Sequence, residues 1–277
     1  VWDLDDPFWY PATKQAYRTA KILNFDITVF APKGRGEAGT LEMVHFLKKV
    51  LEERYDGICI SPIADLRVEK LLQKMAEKGV EVIFILSAFD SVPYRTLIGT
   101  DSYQCGRSTG EAVREALGAD GAVGIIKWKD NLIETVEDRY HGVVDVLKEN
   151  RIPYYDMTGP GEPTAEEATK LTDRLLTEHP DISVLCATNV GWGLAFARYL
   201  KSKGKKVKLV TVDFTDEVGE FMKAGYVDAA IAQRPESWGS MTLEKIEAVF
   251  EGQSIPKTID TGTYPVTPAN IRIYVKD

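Results

Sequence analysis

The chain has 277 residues, longer than one average domain and well suited to two of moderate size. Its formal net charge is −8, with acidic and basic residues interspersed, which excludes the clustered basic face of a nucleic-acid binder. The longest apolar runs, such as Val80–Leu86, are interrupted by charge well short of membrane-spanning length.

Only Val1–Leu4 stands ahead of the segment DDPFWY (Asp5–Tyr10), so a further upstream segment is expected. Phe8 and Trp9 in DDPFWY precede a helix carrying Ala12, Ala16, Ala20 and Leu23. Two readings stand side by side for this aromatic pair. Rings stack on the C–H faces of sugars, and they also plug the apolar side of a helix that follows them.

From there short β-branched runs alternate with helical patterns, the signature of βαβ units around parallel sheets. Strands are expected at Asp26–Ala31, Gly57–Ser61, Val80–Leu86 and Thr96–Thr100. A second set is expected at Ala122–Trp128, Pro153–Met157, Ile182–Ala187, Lys208–Asp213 and Val227–Ala232. Most lack polar alternation, as strands covered on both faces do. Between them, stripes at helical spacing include Met43, Phe46, Leu47 and Val50, then Val68, Leu71, Leu72 and Met75. Ala168, Leu171, Leu175 and Leu176 form another, and Trp192, Ala195, Phe196 and Tyr199 a fourth. The implied fold is α/β, with two doubly wound parallel-sheet lobes joined near Ile98–Ser102 and a hinged cleft between them.

Open α/β sheets bind ligands at the carboxyl ends of their strands, so the polar residues there matter. Asn189, Asp213 and Gln233 each terminate an apolar strand, and Asp6, Thr100–Asp101 and Lys127–Asp130 stand at similar places. Such side chains bond hydroxyls well; they also cap helices and start turns. Arg139, in EDRYHG, reads on its own as a solvated surface residue.

Three cysteines form no CxxC and no Cys/His cluster, so neither a zinc site nor another metal is expected. Cys59 and Cys186 sit within apolar runs and read as buried small hydrophobes. No glycine-rich nucleotide motif follows a strand, and His45, His141 and His179 lie away from the strand ends. Catalysis and a cofactor are therefore not expected.

In order and spacing, DDPFWY, YDGICISP, LIGTDSYQCG, EDRYHG, LLTEHPDISVLCATN, LVTVDF, AAIAQRP and IDTGTYPVTPANI are similar to a known pattern. The chain resembles periplasmic sugar-binding proteins of the ribose/galactose/glucose-binding type. Their type I periplasmic binding fold is shared with the effector domains of lac-repressor-like regulators. The resemblance covers nearly the whole chain. It implies lobes of residues 1–100 with 234–261 and 101–233 with 262–277. It implies ligand contacts from Asp6, Phe8 and Trp9 in the first lobe, and from Arg139, Asn189, Asp213 and Gln233.

Two positions depart from that pattern. An acidic residue usual after the strand at 80–85 is replaced by Leu86 and Ser87, with Asp90 as a possible substitute. An aromatic usual near 163 is Pro163, with Trp128 as a possible replacement. The implied role is capture of a small sugar or polyol by cleft closure for an ABC importer. The alternative is the sensing domain of a transcriptional regulator or membrane sensor kinase. Partners are then the ligand and a permease or membrane sensor, without nucleic acid. The protein is expected to be a monomer, periplasmic or extracellular, with a membrane anchor possible in an upstream segment.

Overall fold

The computed structural model describes residues 8–33, 36–118, 120–128, 134–161 and 163–275. The chain divides into two compact units, residues 1–100 with 234–261 and residues 101–233 with 262–277.

The first unit is built on a four-stranded sheet of β1 (Gly57–Ile60), β2 (Glu81–Ile85), β3 (Thr96–Gly99) and β9 (Thr258–Asp260). The order is β1-β2-β3-β9 and every pairing is parallel. Alternation along β2 sorts its side chains between two helical layers. Val82 and Phe84 pack with α2 (Gly36–Glu53) and α3 (Leu66–Glu77) through Met43, Leu47, Val68, Leu72 and Met75. Ile83 and Ile85 pack on the other face with α1 (Tyr10–Leu23) and α9 (Pro235–Phe250) through Ala12, Ala20, Trp238 and Ile246.

The expected strand at Asp26–Ala31 is a correction. Residues 26–31 carry no strand assignment, and the ladder of the described residues ends at β1. The run is β-branched but has no described neighbour to complete it. β9 was not anticipated, because three residues between a helix and a turn leave little periodicity to read.

The second unit holds six strands in the order β10-β8-β7-β6-β4-β5. These are β4 (Ala122–Trp128), β5 (Tyr154–Gly159), β6 (Ile182–Ala187), β7 (Lys208–Val212), β8 (Ala229–Ala232) and β10 (Tyr264–Val266). All are parallel except β10, which runs antiparallel to β8 at the edge and tolerates Pro265 there. Val123 and Ile125 face α4 (Ser102–Leu117) and α5 (Glu134–Glu149), where Val113, Val143 and Leu147 complete the layer. Ile126 and Leu185 face α6 (Ala165–Glu178), α7 (Val190–Lys203) and α8 (Asp216–Lys223), with Leu175, Phe196 and Val218. Thr164 opens α6 with a reciprocal capping box to Glu167, which satisfies two otherwise orphaned amides.

Candidate functional site

In the second unit the strand order reverses around β4. Its successor β5 lies on one side and β6 on the other, so the loops leaving β4 and β6 diverge at their carboxyl ends. That is where a doubly wound sheet leaves room for a ligand. Arg139, Asn189, Asp213 and Gln233 all come to this end of the sheet.

Arg139 sits on α5, and close helix packing brings it in. A Cβ on Gly106 of α4 would collide with the Arg139 backbone, and one on Gly142 with the Tyr103 carbonyl. Only glycines let α4 and α5 approach this closely. The arginine is 5% exposed, which corrects the reading of it as a surface residue. Its guanidinium reaches the Thr188 carbonyl at a long 3.4 Å, while its Nε has no partner.

Asn189 follows β6 and performs both roles weighed for it. Its Oδ1 accepts the Trp192 amide at 3.0 Å and so caps α7. Its Nδ2 is buried without a partner. Asp213 follows β7 at φ 70°, a left-handed conformation that costs an ordinary residue about 1–2 kcal/mol. It caps no helix, since Thr215 caps α8. Its carboxylate accepts Gln233 Nε2 at 2.7 Å, and Gln233 Oε1 is left buried without a partner.

One thiol, Cys105, lies within the field of both Arg139 and Asp213. Burial pushes Cys105 up to about 11, while Arg139 draws it down and Asp213 pushes it up. Both charges therefore act on one side chain. The site thus presents two orphaned donors, Arg139 Nε and Asn189 Nδ2, and an orphaned acceptor, Gln233 Oε1. Buried polar groups are almost always paired in a folded protein, which makes this cluster the candidate site.

The other expected residues divide between the two units. Asp101 caps α4, with Oδ1 accepting the Gln104 amide at 2.9 Å. Trp128 ends β4 half-buried against Gly161, and its buried indole N–H has no partner. Pro163 contributes no aromatic ring, and Trp128 stands at the carboxyl end of β4. In the first unit Trp9 is 5% exposed and lies among Phe8 and Trp238, at ring separations of 5.5 Å from each. That is a core position; only the half-buried Phe8 keeps a partly open ring. Asp90 is exposed on a loop after β2. Asp6 lies outside the described residues, as do Lys129 and Asp130. Among the described residues no group of His, Cys, Asp or Glu is arranged to hold a metal ion. None of their helices is long and apolar enough to cross a membrane.

The family profile of the periplasmic binding protein domain matches residues 1–254. The chain belongs to this family. Its members are binding proteins rather than enzymes. A ribose import binding protein of Bacillus subtilis (strain 168) is 20% identical over 263 residues, covering 92% of this chain and 82% of its own length. A solved ABC transporter solute-binding protein from Burkholderia graminis, in complex with D-arabinose, superposes with a TM-score of 0.86. The two are 23% identical, and the match covers 98% of this chain and 95% of that one. A putative LacI transcriptional regulator from Bacteroides fragilis superposes with a TM-score of 0.82 at 19% identity, covering 99% and 96%. At these identities the structures establish a shared α/β fold. The candidate site in this chain comprises Arg139 of α5 with the strand-end residues Asn189, Asp213 and Gln233.

Proposed function

We propose that this periplasmic binding protein captures a small sugar or polyol outside the cytoplasmic membrane and delivers it to the permease of an ABC importer. The observation that carries the reading is the group of buried unpaired polar atoms on Arg139, Asn189 and Gln233 beside the Asp213 carboxylate. A hydroxyl both donates and accepts, so a polyhydroxylated ligand satisfies two donors and an acceptor together. The printed names of the relatives, ribose import binding proteins above all, support a carbohydrate. In this reading Phe8 and Asp6 approach the same ligand, Trp128 takes the aromatic role at the second departure, and ligand binding draws the two units together. The protein acts as a monomer.

The test is a thermal-shift screen over pentoses, hexoses, ketohexoses and polyols. A ligand held only by the native state raises apparent stability by about 2.7 kcal/mol at a hundred times its Kd. The expected result is one chemical class that stabilises, with solution scattering showing a smaller radius of gyration when that ligand is present. No stabilisation by any of these compounds overturns the reading.

A further inference from the structure

A buried hydroxyl at the carboxyl end of the second unit's sheet serves neither a helix cap nor a hydrogen bond. Ser102, the first residue of α4, is 7% exposed, and its Oγ is buried without a partner. Its neighbour Asp101 supplies the cap by accepting the Gln104 amide, so the serine is not needed to close the helix. An unpaired buried hydroxyl costs stability, and native folds keep few of them without something to meet them.

The packing of α4 fixes where that hydroxyl lies. Late in the helix, Val113 clusters with Val210 and Ala229. Cys105, about two turns earlier, packs with Val212 and Ile231. The helix therefore runs against β7 and β8, and its first turn reaches their carboxyl ends. Ser102 stands three residues before Cys105, about 4.5 Å along the axis at the usual rise. Asp213 follows Val212 by one residue and Gln233 follows Ile231 by two, about 3.3 and 6.6 Å further at strand spacing. The serine is thus level with the hydrogen-bonded pair Asp213 and Gln233.

The same face of α4 turns to Arg139. Residues three and four apart share one side of a helix, so Ser102 lies in line with Cys105 and Gly106. A Cβ on Gly106 would stand 2.1 Å from the Arg139 carbonyl oxygen, which sets α5 directly against this face. Beyond the effect of its burial, Cys105 is acted on by both Arg139 and Asp213. Burial holds the carboxyl of Asp138, next to Arg139, above the usual carboxylate range, and Asp101 adds to that rise. The start of α4 and the Arg139 turn of α5 are therefore neighbours in charge as well as in packing.

On the reading of Arg139, Asn189, Asp213 and Gln233 as a site for a sugar or polyol, we propose that Ser102 is a further ligand-binding residue, its hydroxyl hydrogen-bonding an alcohol group of the bound molecule. A serine hydroxyl both donates and accepts, whereas the orphaned atoms of Arg139 and Asn189 only donate and that of Gln233 only accepts. It therefore meets an alcohol in either sense.

The test pairs the parent protein with Ser102→Ala, which removes only the oxygen and suits the first turn of a helix. Melting midpoints are measured without ligand, followed by calorimetric titration with D-ribose, D-glucose, D-fructose and ribitol. The free variant should melt no lower than the parent, and up to a few degrees higher, because an orphaned group is gone. For whichever probe binds the parent, the variant should bind about threefold to tenfold more weakly, the loss of one hydrogen bond between neutral groups. A free variant that melts lower would show that the hydroxyl serves the fold itself, and would overturn the proposal. Equal affinity in parent and variant would overturn it too, and either result leaves the sugar reading standing. A parent that binds none of the four probes overturns that reading, and the role of Ser102 with it.

Discussion

Gln233 Nε2 donates to Asp213 Oδ1 at 2.7 Å, and both side chains are buried, at 3% and 6% exposure. The bond fixes which end of the amide faces away: the carbonyl Oε1 is the atom left unpaired. It also holds the carboxylate at a residue whose backbone is strained at φ 70°. Strain at a buried polar residue costs stability and is retained where positioning matters.

That strain gives a comparison within one position. Asp213→Gly and Asp213→Ala both remove the carboxylate, and both are expected to weaken ligand binding tenfold to a hundredfold. Loss of one partner of a hydrogen bond to a charged group costs about 1.5–3 kcal/mol. Glycine accepts φ 70° freely, so Asp213→Ala should unfold at lower denaturant, by about 1 kcal/mol, than Asp213→Gly. Equal midpoints would mean that the left-handed backbone carries no strain.

Asn189 allows its two roles to be separated. Asn189→Asp keeps an oxygen for the Trp192 amide but removes the Nδ2 donor. Its stability should stay within about 0.5 kcal/mol of the parent, because Asn and Asp cap equally well, while its ligand affinity falls sharply. Asn189→Ala should lose both affinity and about 1 kcal/mol of stability. Calorimetric titration beside urea unfolding checks both. Undiminished affinity in Asn189→Asp would reduce this residue to a helix cap.

Trp9 and Phe8 should now part company. Trp9 packs on Trp238 inside the core, so Trp9→Ala is expected to cost about 3–5 kcal/mol of stability. Phe8→Ala, at a half-buried ring, should be milder on stability and felt in ligand affinity. Tryptophan fluorescence is a third reading. A buried Trp9 has little further water to lose, whereas half-buried Trp128 has, so a ligand-induced change should vanish in Trp128→Phe. Persistence of the full change in Trp128→Phe would return the reporter role to another indole.

The parallel sheets were legible because their strands are continuous apolar runs between stripes such as Val68–Leu72–Met75. The strand ends followed from those runs, and three polar residues at them stood out by position. Other features depend on contacts that no local pattern encodes. The burial of Arg139 comes from Gly106 and Gly142, each placed against the facing helix by the packing of α4 on α5. Trp9 and Trp238 meet from opposite ends of the first unit's sequence, so neither position alone distinguished a core ring from a stacking ring. Residues 26–31 have strand composition, yet a strand also needs neighbours, and composition is silent on those.

The three free cysteines predict how stability changes in alkaline solution. Burial lifts Cys59 and Cys186 from the ordinary 9.0 to about 12, and Cys105 to about 11. The Cys59 thiol is enclosed even though the residue as a whole is half-buried, and a side-chain hydrogen bond with Thr242 only partly offsets its burial. These folded-state values are raised, so the stabilisation is fully present below pH 9 and is lost as pH climbs through 9 to 12. In that window the unfolded chain has released thiol protons that the folded chain retains. The unfolded state then binds fewer protons, and the slope of unfolding free energy against pH is negative, approaching about 1.4 kcal/mol per pH unit for each thiol. Urea midpoints measured from pH 8 to 10.5 should therefore fall, and the fall should be shallower in Cys186→Ala. That variant loses some packing at every pH, which shifts the curve without tilting it, so the slope isolates the thiol. Parallel curves for parent and Cys186→Ala would show that this cysteine does not keep its proton through folding.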